Sequence, residues 1–403
     1  MVQNNVEKGA LAGVRILDLT RVLAGPFCTM MLADMGAEVI KIEEPGKGDD
    51  TRAYPPFINN FSAYFGNMNR NKKSITLNLK KPEAIALFKE MTKKSDVVVE
   101  NYKPGTMKKL GIGYEELKEI NPGIIFASIS GFGQYGPYTT RPGYDIIGQA
   151  MGGLMSVSGW PDSPPTRTGT AMGDILGGLN CCIGILAALR NREVTGRGQS
   201  VDVALVDSVV SAMETIIQIY LVEGRVPGRI GNRYEFIAPY DTFSAQDGWV
   251  VIAVGNNAVW ERFCRVIGRE DLAAHPDFAS NPVRVQNHEK LAQVVTLWTK
   301  ERNVDDIVDV LLKNSIPAAP INDVPRIVSD PHIAGAREMF VDINTPDGGK
   351  MKAVACPIKF SETKTRVLTA PPKLGEHSDL VLSEVLGLDI ADIAVLREKG
   401  ALG

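Results

Sequence analysis

The chain has 403 residues, 44% of them hydrophobic and 23% charged. That composition belongs to a globular protein of two or three domains and excludes a disordered tail, a collagen-like fibre and a disulfide miniprotein. Lys and Arg number 44 against 47 Asp and Glu, a net charge of −3. No general field therefore draws the chain to nucleic acid or to an anionic membrane, and an anionic ligand must be held by a few placed groups.

The first hundred residues alternate strand and helix. VRILDL (14–19) is a short apolar strand. Pro26 suits the first turn of the helix that follows, which runs through FCTMMLADMG and stops at Gly36. EVIKIE (38–43) closes a βαβ unit. SITLNL (74–79) reads as a strand, 82–94 as an amphipathic helix and DVVVEN (96–101) as another strand. A helix over 114–120 and the strand GIIFASIS (123–130) follow. Strands interleaved with helices predict a parallel sheet in an α/β domain.

Residues 131–170 are rich in Gly, Pro, Thr and Tyr and read as loop around a short helix in GYDIIGQAMGG. Long helices are expected at 173–192 and 204–223, with the turn and strand TGRGQSVDVAL between them. The apolar run 171–189 holds Asp174 and Asn180, which points to a buried helix and not a membrane span. After Gly224 the texture changes. TFSAQDGWVVIAVGN reads as a hairpin over an Asp-Gly turn, with helices at 256–267, 284–301 and 303–314. Residues 225–330 are the candidate smaller domain. It lies between 1–224 and a return segment, 331–403, which has a hairpin signal at TPDGGK and a charged helix from Ser378.

The five cysteines form no metal-ligand cluster, and the N-terminus shows no apolar signal core, so a reducing cytoplasm is expected. The first βα loop, RVLAGPF, lies where α/β proteins bind ligands, but GxGxxG is absent and a nicotinamide site is not supported. VENYKPGTMKKLG (99–111) joins a strand end to a helix start. Asn101 could hydrogen-bond a ligand there, Thr106 could cap the helix, and Lys108 and Lys109 suit a phosphate; a plain turn with solvated lysines also fits. GTAMGDILGGLNCCIGILAAL (169–189) places one carboxylate, Asp174, at the mouth of an apolar helix among glycines 169, 173, 177 and 178. Asp174 is either a helix cap or an acid with a task. The glycines leave room for a bulky ligand or for a second backbone. The four histidines are scattered and suggest no triad; His377 falls at the start of the last helix.

Taken together, GVRILDLTRVLAGPFCTMMLADMGAEVIKIE, NKKSITLNL, VENYKPGTMKKLG, GYDIIGQAMGG, GTAMGDILGG, TGRGQSVDVAL and PPKLGEHSDLVL resemble, in order and spacing, the class III (CaiB/BaiF-type) CoA-transferase family. The resemblance runs from about residue 10 to 400. It implies an α/β fold with a large Rossmann-like domain built from both chain ends, a smaller central α+β domain, and an interlocked homodimer. It implies acyl-CoA and a small carboxylic acid as substrates, with coenzyme A bound as substrate and no tightly bound cofactor, metal, nucleic acid or membrane.

The family's catalytic aspartate falls on Asp174, whose carboxylate would form a mixed anhydride and then an aspartyl-CoA thioester. The glycines beside it would make space for the acyl group and offer backbone donors to an oxyanion. Carried over as CoA-binding are Val22, Leu77, Asn101, Tyr102, Thr106, Lys109 and Leu110, with Lys109 as the phosphate cation. Leu23 and Tyr144 fall in the substrate pocket, and Arg167, Arg229, Arg233 and Tyr234 are candidates to meet an acceptor carboxylate.

Formyl-CoA:oxalate transferases carry glutamine where Leu23 stands, an arginine where Glu44 stands, and a tetraglycine loop not found here, so oxalate is disfavoured. The alternative within the family is an α-methylacyl-CoA racemase. Its histidine would occupy the position of Tyr144, and tyrosine is a poor acid–base substitute at neutral pH.

Overall fold

The computed structural model describes residues 9–403. Packing divides them into two compact units. One comprises the described residues through Leu154 with Arg167–Gly224 and His332–Gly403; the other comprises Met155–Thr166 with Arg225–Pro331.

Up to Gly224 the elements run β1 (Arg15–Asp18), α1 (Ala24–Asp34), β2 (Glu38–Glu43), the two-residue strands β3 (Phe57–Ile58) and β4 (Phe61–Ser62), α2 (Ala63–Asn69), β5 (Lys72–Thr76), α3 (Pro82–Lys93), β6 (Val97–Glu100), α4 (Thr106–Lys109), α5 (Tyr114–Ile120), β7 (Ile125–Ser130), α6 (Asp145–Met151), the single turn α7 (Leu154–Val157), which belongs to the second unit from Met155 on, α8 (Met172–Thr195), β8 (Ser200–Ala204), α9 (Leu205–Ser211) and α10 (Glu214–Glu223). Six strands form one sheet in the order β5-β2-β1-β6-β7-β8, every pairing parallel. The chain lays down β1, β2 and β5 in one direction, then crosses over to build β6, β7 and β8 in the other. The order reverses between β1 and β6, and a crevice opens at their C-terminal ends.

Side-chain alternation builds both faces of this sheet. Ile16, Val39, Val97, Val99, Ile125 and Ala127 pack with α1 and α8. Leu17, Ile40, Ile42, Ile75, Val98 and Phe126 pack with α3, α5 and the C-terminal residues Val381, Leu382, Ile393 and Leu402. Each such side chain contributes about 1.5–3 kcal/mol when fully buried. The long apolar helix α8 has the length and composition of a membrane span. Here one of its faces, with Gly177, Gly178, Cys181, Cys182, Ile185 and Ala188, is buried against α1, α9 and the sheet.

Four expectations are corrected. The strand expected at 74–79 starts earlier and ends at Thr76, because Lys72 belongs to the buried face. The helix expected over 204–223 is two helices bent by 73°, with Glu214 at φ 35° in the break. The last helix is also two, Ser378–Leu386 and Ile390–Glu398, the first ended by Gly387 at φ 71°. His377 stands before the first of that pair, and its Nδ1 accepts from the Ser74 N–H at 3.3 Å. In the second unit the helix expected over 284–301 is divided into Asn281–Gln286 and His288–Thr299.

The second unit carries a three-stranded antiparallel sheet of Ala318–Pro320, Trp249–Ala253 and Tyr240–Ser244. Its core gathers Trp260, Phe263, Leu291, Val295, Ile307 and Leu311. Arg229 donates from Nε and Nη2 to the carbonyls of Trp160, Pro161 and Ser163.

A buried ionic cluster joins the last residue of β1, Asp18, to Lys41 within β2, Lys72 at the start of β5 and Asp49 in the chain after β2. Lys72 donates to Asp18 Oδ2 (3.0 Å), Thr29 Oγ1 (2.8 Å) and Asn69 Oδ1 (3.0 Å). Lys41 donates to the Thr20 carbonyl at 2.8 Å and lies 2.9 Å from Asp49 Oδ2. All four charged side chains are fully buried. Burial alone would raise the Asp18 carboxyl, but Lys72 and Lys41 hold it below the usual range. Burial pulls the Lys72 ammonium down to about 8 despite Asp18. Removing one partner of such a cluster strands the others in a dry site. Asp18→Ala is therefore expected to destabilise the fold by about 3–5 kcal/mol in urea unfolding. Asp18→Ala/Lys72→Met should lose less than the two single changes summed.

Candidate active site

The loop after β1 is held at each backbone position. Thr20 N–H and its hydroxyl both donate to Asp18 Oδ1, and the Thr20 carbonyl accepts from Lys41. Arg21 N–H donates to Asn101 Oδ1 at 2.9 Å, and Asn101 Nδ2 donates back to the Arg21 carbonyl at 2.8 Å. Val22 N–H donates to Asp49 Oδ1 at 3.2 Å, and Val22 sits at φ 68°, a conformation that a β-branched residue adopts only under external constraint. Gly25 is required beside it: a Cβ there would fall 2.3 Å from that of Thr20. Asn101 is thus a clamp on the loop, both ends of its amide already engaged.

Two cavities open at this switch point, sharing Arg21 and Tyr102 as common wall. The Arg21 guanidinium lies 5.5 Å from the Tyr102 ring centroid. The first cavity, about 850 Å³, is lined by Leu77, Thr106 and Leu110 together with Glu43, Glu44 and Lys80. The second, about 1000 Å³, is lined by Val22, Leu23, Asn101, Arg141, Tyr144 and Asp174. Of the ten residues carried over as nucleophile, CoA-binding or substrate-pocket positions, nine therefore lie along one crevice; Lys109 lines neither cavity. Thr106 is the first residue of α4 and not its cap: Gly105, at φ 81°, holds that position, and the Thr106 hydroxyl donates to the Lys103 carbonyl at 2.6 Å.

Asp174 is the third residue of α8 and does not cap it; Ala171 stands at the cap and supplies no side-chain bond. Among the described residues no donor reaches the Asp174 carboxylate. Burial first, and the negative charge of Asp145 second, lift its carboxyl to about 7. Across from it Tyr64 is pushed up to about 12 by burial and then by the charges of Asp174 and Asp49.

The glycines near Asp174 serve packing more than ligand space. A Cβ at Gly177 would meet Leu205 Cδ2 at 2.6 Å, and one at Gly178 would meet the Ala24 carbonyl oxygen at 2.6 Å. The Gly173 N–H is occupied, donating to Asp145 Oδ1 at 2.8 Å. Only at Gly169 does a Cβ find open space. Among the lining cations that sequence reasoning did not single out, Arg21 opens the motif RVLAGPF and Lys80 follows NKKSITLNL, and both look like ordinary surface cations. Arg141 sits in a loop whose path the sequence does not reveal.

The raised Asp174 carboxyl has a stability consequence. Its folded-state value lies above its ordinary 3.8, so the folded state binds the proton more tightly than the unfolded chain. The cost of keeping it charged is full above about pH 7 and vanishes towards pH 4. Asp174→Asn removes that cost. It should raise Tm by about 1–3 °C at pH 8 and progressively less on acidification, read by calorimetry.

A family model described as CoA-transferase family III matches residues 11–378. The chain is 43% identical over 392 residues to the succinyl-CoA:mesaconate CoA-transferase of Haloarcula marismortui, covering 94% of this chain and 97% of that protein. It is 43% identical over 355 residues to the acetyl-CoA:oxalate CoA-transferase of Acetobacter aceti, covering 88% and 90%. The crystal structure of a CaiB/BaiF family protein from Brucella suis superposes with a TM-score of 0.84 at 39% identity, covering 94% of this chain and all of that one.

Proposed function

The chain belongs to CoA-transferase family III, and from that premise we propose that it moves CoA between two small dicarboxylic acids through covalent intermediates on Asp174. One observation carries this reading: a half-buried carboxylate, unpartnered among the described side chains, at one end of a crevice whose other end is walled by apolar residues, the cations Arg21 and Lys80 and the carboxylates Glu43, Glu44 and Asp49. A dicarboxylate class is supported by the relatives named for mesaconate and oxalate. The missing glycine loop and Leu23 speak against oxalate, but a relative at 43% identity named for it returns oxalate to the acceptors worth assaying.

In this reading the nucleotide end of CoA lies in the first cavity, against Leu77, Tyr102, Thr106 and Leu110, with its phosphates towards Arg21 and Lys80. The pantetheine arm passes Arg21 and Tyr102 and brings the thioester to Asp174. One Asp174 carboxylate oxygen attacks the acyl carbonyl, the C–S bond breaks, and CoA leaves as thiolate. The thiolate then attacks the Asp174 carbonyl of the mixed anhydride. The anhydride C–O bond breaks, the donor acid departs as carboxylate, and CoA remains as the aspartyl thioester. The acceptor carboxylate repeats both steps in reverse order. Dividing the exchange in this way keeps each step near balance, provided water stays out. Leu23 and Tyr144 line the acyl end.

The same proposal makes the enzyme a cytoplasmic homodimer. Its five free thiols support a reducing compartment. Exposed Ile183 and Val194 on α8 and Tyr220, Leu221 and Val222 on α10 support an apolar contact between copies.

Asp174→Ala is expected to abolish exchange while leaving CoA affinity within about threefold. Hydroxylamine with acyl-CoA should modify Asp174 alone in the native enzyme. Full activity in the variant, or label on another residue, refutes the assignment. Lys80→Ala should raise KM for acyl-CoA about fivefold with kcat unchanged, as loss of uniform binding does. Lys109→Ala, measured in parallel, reports whether that lysine reaches the phosphates.

A further inference from the structure

Resting on the assignment of Asp174 as nucleophile, we propose that Asp145 is its positioning residue. The Asp145 carboxylate holds the first turn of α8, and its charge favours the acylated forms of Asp174 over the free carboxylate.

The geometry starts from an uncapped helix. The first four N–H groups of any helix lack partners within it. At α8 the cap residue is Ala171, which has no oxygen on its side chain. Asp145, the first residue of α6, supplies the acceptor from a distant part of the chain. Its Oδ1 accepts from Gly173 N–H at 2.8 Å and from Asp174 N–H at 3.4 Å. No Cβ fits comfortably at Gly173, since one would lie 3.2 Å from the same oxygen.

The other oxygen is held as firmly. Asp145 Oδ2 accepts from Gln149 Nε2 at 2.8 Å. Gln149 lies one turn along α6 and is fully buried. Its Oε1 accepts from the Thr168 N–H at 3.0 Å and from the Thr168 hydroxyl at 3.1 Å. A satisfied buried network of this kind fixes one arrangement. It ties α6 and the strand of chain before α8 to the residue that carries the chemistry.

Capping requires only an acceptor, which a neutral side chain could provide. Asp145 adds a charge next to the backbone of the nucleophile. Two neighbouring carboxylates in a poorly solvated site repel, and the repulsion disappears when one is neutralised. Acylation neutralises Asp174 as protonation does. When its oxygen bonds to the acyl carbon, the C–S bond breaks and the charge departs on the CoA thiolate. When the thiolate returns to the Asp174 carbonyl, the anhydride C–O bond breaks and the charge departs on the donor carboxylate. In both covalent states Asp145 faces a neutral ester-like group. The same neighbour that lifts the Asp174 carboxyl thereby raises the population of the anhydride and the thioester.

Other groups face this carboxylate as well. Tyr64 approaches from α2, and the second cavity also presents Arg21, Asp50, Lys103 and Arg141, with the phenols Tyr102 and Tyr144. They are unchanged when Asp145 is varied, so a change at Asp145 isolates its own share.

The test compares Asp145→Asn, Asp145→Ser and Gln149→Met with the native enzyme. Gln149→Met loosens the network but keeps the charge. The readouts are the acid limb of kcat/KM against pH, and the fraction of enzyme trapped by borohydride as aspartyl-CoA thioester at saturating acyl-CoA. Both Asp145 variants are expected to move the acid limb to lower pH and to cut the trapped fraction about threefold or more. Gln149→Met should lower Tm and kcat while leaving the limb in place. Asp145→Ser carries the comparison should Asp145→Asn fail to fold against the Gln149 amide. An acid limb and trapped fraction unchanged in the Asp145 variants overturn the role of the charge, with the nucleophile assignment left standing. Exchange surviving in Asp174→Ala overturns that assignment instead, so the two failures are distinguishable.

Discussion

The site depends on four charges that the fold has removed from water. Asp18, Lys41 and Lys72 lie on β1, β2 and β5, with Asp49 beside them, and each is fully buried. An isolated buried charge is untenable; a paired and hydrogen-bonded set can be kept if every lone pair and proton has somewhere to go. The partners recruited for this purpose are the backbone groups of the β1–α1 loop and the threonines beside it. The cluster thereby shapes a loop that carries no regular structure of its own, and holds Val22 in a conformation it would otherwise avoid. A chain of net charge −3 has no field with which to gather a polyanionic ligand. It has a rigid rim on which Arg21 is fixed at the wall common to both cavities.

Helix α8 reaches the same place by a different route. Glycines at 177 and 178 let it approach Leu205 and the Ala24 carbonyl closely enough for its first turn to reach the crevice. The small residues bring backbone to backbone, and Asp174 arrives at the cavity because the helix beneath it cannot sit further away. The apolar surroundings that let α8 seat also desolvate the carboxylate of its first turn.

Much of this was legible in the chain. The β1, β2, β6 and β7 runs announce a buried parallel sheet through their clustered Val, Ile and Leu, and the βα loops point to the ligand edge. What misled was charge inside the core. Lys72 looks like the solvated start of a strand, yet it lies on the buried face because Asp18 and Thr29 wait there, and such pairing between residues 54 apart leaves no local trace. The glycines around Asp174 were legible as crowding relief, but not which neighbour did the crowding. Thr106 had the composition of a cap, and Gly105 took the position through a positive φ that threonine disfavours. Asp145 adjoins Tyr144 in the chain and gave no sign that it would meet Gly173 and Asp174.

An acyl-transfer nucleophile that must also leave faces opposing demands. If its carboxylate is too comfortable, it will not attack a thioester; if too reactive, it will not be displaced when thiolate or acceptor returns. Hydrogen-bond donors to Asp174 would stabilise the free carboxylate and deepen that resting state. The site avoids them: the described side chains offer none, and the nearest polar group from α6 is another carboxylate, turned towards the helix backbone. On the proposed mechanism the resting enzyme is raised in energy by burial and repulsion, which the covalent states would relieve. In that mechanism donor and acceptor pass through the same two intermediates, and a site tuned to either one alone would slow the return.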